Sequence, residues 1–124
     1  DGLIKSMYFI KDKNVDEDTE IIIQKQLDAY NARDIEGFLA TYTNDVKLYN
    51  FPNTLRTDGL AAMRKGYGDY FESSPDLHAE IKNRIVIGNT VIDEEEVTAN
   101  GYKFSAVAIY EVENGKISKV TFVR

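Results

Sequence analysis

The side chains that could take part in acid–base chemistry lie in the second half of the chain. Glu94 is predicted on the apolar face of a strand beside Asn83, where burial would raise the pKa of its carboxyl and make it the best candidate for a general base. The single histidine, His78, is predicted on a charged strand face with Glu80, which favours a solvent-exposed or dimer-interface position over catalysis. The acidic run 93–96 alternates between the two faces of a strand, so no metal site is predicted.

Length, charge and residue content restrict the classes of function. The 124 residues fit one domain that can bury a single core. The net charge of −6 argues against a nucleic-acid partner, because phosphate binding depends on clustered Lys and Arg. The absence of cysteine excludes a disulfide and thiolate chemistry, and we expect no cofactor. The apolar runs are shorter than the roughly 20 residues that a membrane-spanning helix needs.

The N-terminal segment has no clean hydrophobic period. We expect residues 1–17 to form an arm and residues 18–124 to form the domain. The chain begins with Asp1 rather than Met, from which we expect a processed or trimmed product. These residues do not specify the compartment; a cytoplasmic protein is the default expectation, and an exported mature chain is the alternative.

The first half of the domain has the hydrophobic spacing of helices. Asp18 is predicted to cap a helix from Thr19 to Asn31, and Asp34 a second helix from Ile35 to Thr43. The two are close enough in sequence to pack as a hairpin. A third helix is predicted to open at Asp58.

One strand, Val46 to Phe51, is predicted between the second and third helices, followed by a short loop. The third helix contains Gly66 and Gly68, each of which costs ~0.5–1 kcal/mol relative to alanine in a helix interior. We therefore expect this helix to end or kink there, or a neighbour to approach it closely.

Three turn signals divide the chain after Pro75 into strands: Gly88-Asn89, Asn100-Gly101 and Asn114-Gly115. The predicted strands are Leu77 to Ile87, Thr90 to Ala99, Tyr102 to Glu113 and Lys116 to Arg124. Three consecutive hairpins indicate a curved antiparallel meander, and a curved sheet wrapped on helices leaves a cavity open at one end.

The Gly88-Asn89 turn sets the register of the first hairpin. It predicts the pairs Ile87–Thr90, Ile85–Ile92, Arg84–Asp93, Asn83–Glu94 and Lys82–Glu95. We expect the face with the isoleucines, which also carries Asn83 and Glu94, to look toward the helices. The face with the ion pairs Arg84–Asp93 and Lys82–Glu95 should then look outward. A slip of one residue would exchange the two faces.

The order of these elements resembles the NTF2-like superfamily, which includes nuclear transport factor 2, ketosteroid isomerase and the SnoaL-like polyketide cyclases. The resemblance to ketosteroid isomerases runs from Gln26 to Tyr67 without a gap and is anchored on the turn Asn31-Ala32-Arg33-Asp34. It implies an α+β cone in which three N-terminal helices pack on a curved, mostly antiparallel sheet. It also implies a homodimer through the outer face of the sheet, where Val86, Val91 and Val97 are expected.

Most of the positions that catalyse in ketosteroid isomerases carry residues of another type in this chain. Gln26 occupies the position of the oxyanion tyrosine, Asn50 that of the base and Ala108 that of the protonated aspartate, whereas Tyr67 retains the supporting tyrosine. That enzyme is a standard example of tuned carboxylates, and its proton shuttle should be absent here. The remaining neutral groups, Gln26, Asn50 and Tyr67 together with Asn83, suit a neutral or weakly polar ligand on an apolar body.

Three functions remain open from the sequence. The first is a module that binds a small apolar molecule through Gln26, Asn50, Tyr67 and Asn83. The second is an isomerase, cyclase or hydrolase that uses a relocated carboxylate such as Glu94. The third is a protein-interaction scaffold with a filled cavity. The amides could equally satisfy one another or hold ordered water.

Overall fold

A computed structural model describes the backbone of residues 2–124 and the side chains of residues 15–124. The helices are α1 (Gly2–Asn31), α2 (Ile35–Leu39) and α3 (Leu60–Ser73). The strands are β1 (Tyr42–Asn50), β2 (Thr54–Asp58), β3 (His78–Ile87), β4 (Thr90–Ala99), β5 (Tyr102–Glu113) and β6 (Lys116–Val123). The predicted α+β class, with three helices on a mostly antiparallel sheet, is confirmed.

The six strands form one sheet in the order β2-β1-β6-β5-β4-β3. All neighbours are antiparallel except β1 and β6, which are parallel. The three predicted hairpins, which the four strands β3 to β6 form, are therefore confirmed. Strand β2 was predicted to be a loop; its side chains are almost all exposed, and it is held by backbone pairing with β1.

The helix boundaries differ from those predicted in three places. Helix α1 is continuous from Gly2, so Asp18 lies inside it rather than at its N-cap. Helix α2 ends at Leu39, and Tyr42 begins β1 because the β-branched and aromatic residues 41–43 favour an extended backbone. The carbonyl of Thr41 accepts a hydrogen bond from Ile117 N at 2.8 Å, which draws this segment to the sheet. The cap at Asp34 is confirmed by its bond from Gly37 N at 3.1 Å.

Helix α3 begins after Gly59, not at Asp58, because Asp58 lies in β2 and pairs with Lys47. It runs through Gly66 and Gly68 to Ser73, and a Cβ on either glycine would have no atom within 4 Å. The expected break or close neighbour at these glycines was therefore wrong. The division into an arm, 1–17, and a domain, 18–124, stays a prediction, and the packing of the arm's apolar side chains in 1–14 lies outside the described side chains.

The β3–β4 hairpin keeps the predicted register near its turn but presents the opposite face to the helices. The pairs from Ile87–Thr90 to Asn83–Glu94 are as predicted, and a bulge at Lys82 then places Glu95 opposite Ile81. Ile85 and Ile87 are 53% and 70% exposed, whereas Val91 and Val97 are buried. The predicted orientation of the hairpin was therefore wrong. The isoleucine face, with Asn83 and Glu94, was expected toward the helices and lies outside, whereas the valines expected outside face the helices.

A buried ion pair explains this orientation. Arg84 binds Asp93 through two hydrogen bonds of 2.7 and 2.9 Å, and Asp93 is 1% exposed. A bidentate partner allows a carboxylate to be buried because both of its oxygens are satisfied. The same guanidinium donates to Gln24 of α1 at 2.9 Å, which ties the hairpin to the helix.

Helix α1 also holds the turn of this hairpin. Thr19 Oγ1 donates to the carbonyl of Gly88 at 2.7 Å, and Gly88 N donates to the Asp16 carboxylate at 2.5 Å. Asn31 binds the backbone of Ala79 in both directions, at 2.7 and 3.0 Å. One helix therefore fixes both ends of β3.

Removal of the buried carboxylate tests this arrangement. Asp93→Ala leaves the Arg84 guanidinium without its partner, and we expect the free energy of unfolding in urea to fall by about 3–5 kcal/mol. The matched control is Asp58→Ala, which removes an exposed ion pair with Lys47 and should leave the free energy of unfolding almost unchanged. Equal losses in the two variants would contradict the role of the buried pair.

Candidate functional site

A cavity of about 490 Å³ lies between the helices and the inner face of the sheet. Its walls come from all three helices and all six strands. The lining residues are Gln26, Leu27, Tyr30, Phe38, Tyr42, Arg56, Thr57, Ala62, Met63, Gly66, Tyr67, Tyr70, Ala79, Glu95, Val97, Phe104, Ala106, Tyr110, Phe122 and Arg124. Its volume lies in the range of about 300–1,000 Å³ that is typical of small-molecule sites.

Buried aromatic packing positions the tyrosines of the cavity. Phe38 is a core residue of α2, and its ring centroid lies 5.0 Å from that of Tyr42 and 4.9 Å from that of Tyr67. It also contacts Tyr30 at 5.9 Å and Phe71 at 5.4 Å. Tilted and edge-to-face pairs at these distances are favourable, so the short helix α2 orients phenols contributed by α1, β1 and α3.

These phenols are hydrogen-bond donors at neutral pH. Burial raises the pKa of Tyr67 to about 12, with the charge of Glu95 contributing and those of Arg56 and Arg124 opposing. Burial also raises the pKa of Tyr30, Tyr42 and Tyr110 well above the usual range. Each hydroxyl therefore stays protonated and can donate to a ligand oxygen.

Glu95, on β4, is the acidic residue of the cavity lining. Burial, together with the nearby charge of Asp93, raises the pKa of its carboxyl from 4.5 to about 7, against the opposing charges of Arg124 and Arg84. Its own charge contributes to the raised pKa of Tyr110, Tyr67 and Tyr42. A carboxyl with a pKa near neutrality, close to phenolic donors, can both accept and return a proton.

Two of the predicted site residues line the cavity. Gln26 is buried, its side chain hydrogen-bonds the Tyr42 hydroxyl, and its Oε1 has no partner among the described residues. Tyr67 lines the same cavity, although Gln26 has Tyr42 rather than the expected Tyr67 as its partner. Whether Gln26 and Tyr67 bind a ligand stays a prediction.

The other two predicted site residues lie elsewhere. Asn50 is exposed at the end of β1 and borders a second, neighbouring groove. Asn83 is on the outer face of the sheet and donates to Glu94 at 2.7 Å, so the placement of both Asn83 and Glu94 inside the cone was wrong. His78 is exposed at the start of β3.

Sequence reasoning missed Glu95 because it chose the wrong face of the hairpin. The sequence of β4 does contain a signal for the correct face. Every second residue shares one face, which carries Val91, Asp93, Glu95 and Val97, and Arg84 lies opposite Asp93. A face with valines and a carboxylate that has an arginine partner can be buried as well as a face with a row of isoleucines. The missing information was the polar partner from α1.

Two arginines form the rim of the cavity. Arg56 Cζ lies 4.9 Å from the ring centroid of Phe122, and Arg124 Cζ lies 5.2 Å from that of Phe104. Both arginines and Phe122 also line the neighbouring groove with Asn50. The cavity and the groove therefore meet at a positively charged edge.

The sequence profile of the SnoaL-like domain matches residues 23–120. The chain belongs to the SnoaL-like family. This places it in the NTF2-like superfamily, as the resemblance implied, and its α+β cone is the fold of that group. Among proteins with curated functions, none is significantly similar to it in sequence.

Solved structures share this fold over most of the SnoaL-like chain. An uncharacterised cystatin-fold protein from Novosphingobium aromaticivorans is 30% identical, with a TM-score of 0.80 over 86% of this chain and 97% of the other. A candidate ketosteroid isomerase from Kribbella flavida is 24% identical, with a TM-score of 0.75 over 86% and 77%. An LEH-like epoxide hydrolase of M. tuberculosis is 14% identical, with a TM-score of 0.74 over 86% and 81%.

Two further findings concern the part of the chain that the structure describes. None of its helices has the length and apolar character needed to cross a membrane. Within the same part, no three His, Asp or Glu side chains gather where they could hold a metal ion.

The position of Glu95 can be tested through stability. Below about pH 4.5 its carboxyl is protonated in both the folded and the unfolded chain, so it carries no electrostatic cost. Between about pH 4.5 and about pH 7 the unfolded chain releases this proton while the folded chain still holds it, so stability falls as the pH rises through this window. Above about pH 7 the loss is complete, because both chains are then ionised. We expect Glu95→Gln to be more stable than the wild type by about 2–3 kcal/mol at about pH 8, and the difference to vanish near pH 4.5. Urea unfolding across this range measures it, and a difference independent of pH would place Glu95 outside the cavity.

Proposed function

We propose that this SnoaL-like chain binds a small, largely apolar carbonyl compound in the cavity and moves a proton on it, with Glu95 as the general base. The observation that carries this proposal is a carboxyl with a raised pKa among phenols and apolar side chains. A base with a pKa near the working pH is efficient because it is both available and strong enough.

The reaction class follows from the groups that surround the ligand. The ionised Glu95 carboxylate takes a proton from a carbon next to the carbonyl, and the C–H electron pair becomes the C=C bond of an enol or enolate. Negative charge develops on the carbonyl oxygen, where Tyr67, Tyr110 or Tyr42 can donate a hydrogen bond. Protonated Glu95 then returns the proton to the same carbon or to a conjugated one, so the net reaction is an isomerisation or an exchange.

The neutral residues at the ketosteroid isomerase positions are consistent with this proposal. Gln26 supports the phenols through Tyr42, while Asn50 and Ala108 take no part in proton transfer. The proposal keeps the relocated carboxylate of the second hypothesis but assigns it to Glu95 rather than Glu94. Structural relatives named as a ketosteroid isomerase and an epoxide hydrolase support a small organic substrate.

Simple binding without turnover and a filled scaffold are less well supported. An open volume of about 490 Å³ disfavours a scaffold whose cavity is merely filled. An ionisable group costs free energy inside an apolar cavity, and a receptor for a neutral molecule has no need of it. The raised pKa of Glu95 therefore favours catalysis.

Deuterium exchange into a probe ketone tests the proposal. In buffered D₂O, we expect the wild type to accelerate exchange of the α-protons of 2-tetralone, measured by NMR, with a rate that rises through about pH 7 as Glu95 ionises. Glu95→Gln should lose at least about 100-fold of this acceleration.

Glu94→Gln is the matched control, because Glu94 is the neighbouring residue on the outer face. It should retain the wild-type rate. Exchange that survives in Glu95→Gln, or disappears equally in Glu94→Gln, would overturn the assignment of the base. If the wild type bound 2-tetralone without accelerating exchange, the result would contradict catalysis and indicate a binding protein.

We also propose that two copies pair through the outer face of the sheet. This face carries the exposed Ile85 and Ile87, with Ile92 and Ile109 beside Ile85 in the register of the strands. These isoleucines replace the valines expected there, which are largely buried. An apolar row on an open sheet face is typical of an interface.

Sedimentation equilibrium tests the homodimer. We expect the wild type to sediment as a dimer and the double variant Ile85→Glu/Ile87→Glu to dissociate toward monomer, because carboxylates would be buried in the interface. Ile21→Glu is the control, since Ile21 is similarly exposed but lies on α1. A monomeric wild type, or dissociation in the control alone, would contradict this interface.

A further inference from the structure

We infer that the ligand of this cavity carries an oxyanion group at its outer end, held between Arg56 and Arg124. This inference rests on the proposed function and names the class of molecule: an apolar body with a carbonyl inside the cavity and a negatively charged head at the rim. The argument is independent of Glu95, because it depends on the two arginines and the phenylalanines beneath them.

Both guanidinium groups are held at the rim by stacking. Arg56 lies over Phe122 at 4.9 Å, and Arg124 lies over Phe104 at 5.2 Å. Stacking on an aromatic face orients the planar guanidinium and leaves its N–H edges free to donate. Arginines presented in this way lose less side-chain entropy when they bind an oxyanion through two hydrogen bonds.

The charges of these two arginines are not neutralised locally. Among the side chains that the structure describes, neither guanidinium has a carboxylate within ion-pair distance, although Arg64 and Arg84 both do. The chain has 21 acidic residues against 15 basic ones, so carboxylate partners are abundant in its composition. Both arginines instead line the junction between the cavity and the groove.

The rim also acts on the interior of the cavity. The charges of Arg56 and Arg124 lower the pKa of Tyr67, and Arg124 lowers that of Glu95, each against the larger effect of burial. Both guanidiniums are therefore within electrostatic reach of the groups that would contact the carbonyl. One molecule can bridge the rim and the interior, since both arginines line the same cavity as Tyr67 and Glu95.

Two fluorescent probes with the same skeleton separate the head from the body. N-phenyl-1-naphthylamine is uncharged, whereas 8-anilino-1-naphthalenesulfonate adds one sulfonate to it. At about pH 6, where Glu95 is mostly protonated, we expect the sulfonate to bind more tightly than the amine. The double variant Arg56→Gln/Arg124→Gln should weaken sulfonate binding at least about tenfold and leave amine binding within about twofold.

Three variants serve as controls for this measurement. Arg64→Gln removes an exposed arginine that pairs with Glu36 outside the cavity, and it should change neither affinity. Gly66→Leu places a side chain in the open space of the cavity and should weaken both probes. Gly68→Leu adds the same side chain to the same helix at a position outside the lining, and it should weaken neither.

The outcomes distinguish this inference from the proposed function. Equal affinity of the two probes, or an equal loss of both in the arginine variant, would overturn the oxyanion rim while leaving the cavity as a binding site. Failure of both probes to bind, or insensitivity of both to Gly66→Leu, would overturn the cavity itself as the binding site, whereas failure of the sulfonate alone would overturn the rim. If the inference holds, displacement of the amine probe by 2-naphthoic acid and by 2-naphthyl phosphate ranks the two oxyanion groups.

Discussion

The bidentate pair between Arg84 and Asp93 is the interaction on which the rest of this structure depends. A carboxylate that is 1% exposed needs a cation of good geometry, and here that cation comes from the directly opposite residue on β3. Because side chains alternate along a strand, burial of Asp93 also sends Glu95 inward, two residues further on. The link from Arg84 to Gln24 joins this choice of face to α1. A single polar constraint therefore sets both the packing of the hairpin and the position of the carboxyl in the cavity.

The cavity combines a rigid wall with an unsatisfied interior. Phe38 packs against several of the tyrosine rings, and this packing keeps the wall of the cavity rigid. Gln26 retains an oxygen without a partner among the described residues, and Glu95 is held where ionisation is costly. Stability alone would favour satisfied or apolar groups at both positions. Such local costs are characteristic of sites that do chemistry.

Local patterns predicted much of the fold, and long-range polar contacts decided what those patterns left open. The Gly88-Asn89 turn determined the register of its hairpin, and Asp34 capped α2, because both depend on neighbours in sequence. The choice of face could not be predicted, since Arg84 reaches a helix about 60 residues earlier in the chain. Strand β2 was missed because its side chains are exposed and its pairing partner alone defines it. For the site, family resemblance identified Gln26 and Tyr67 as cavity residues, whereas Glu95 required the correct face.

The concentration of phenols around the cavity has an optical consequence. The chain has eight tyrosines and no tryptophan, and Tyr30, Tyr42, Tyr67, Tyr70 and Tyr110 all line the cavity. Intrinsic ultraviolet emission therefore comes from phenol rings that mostly surround the ligand, with no indole to mask it. A conjugated molecule inside the cone would quench that emission by resonance energy transfer. The unlabelled protein thus contains its own reporter of occupancy.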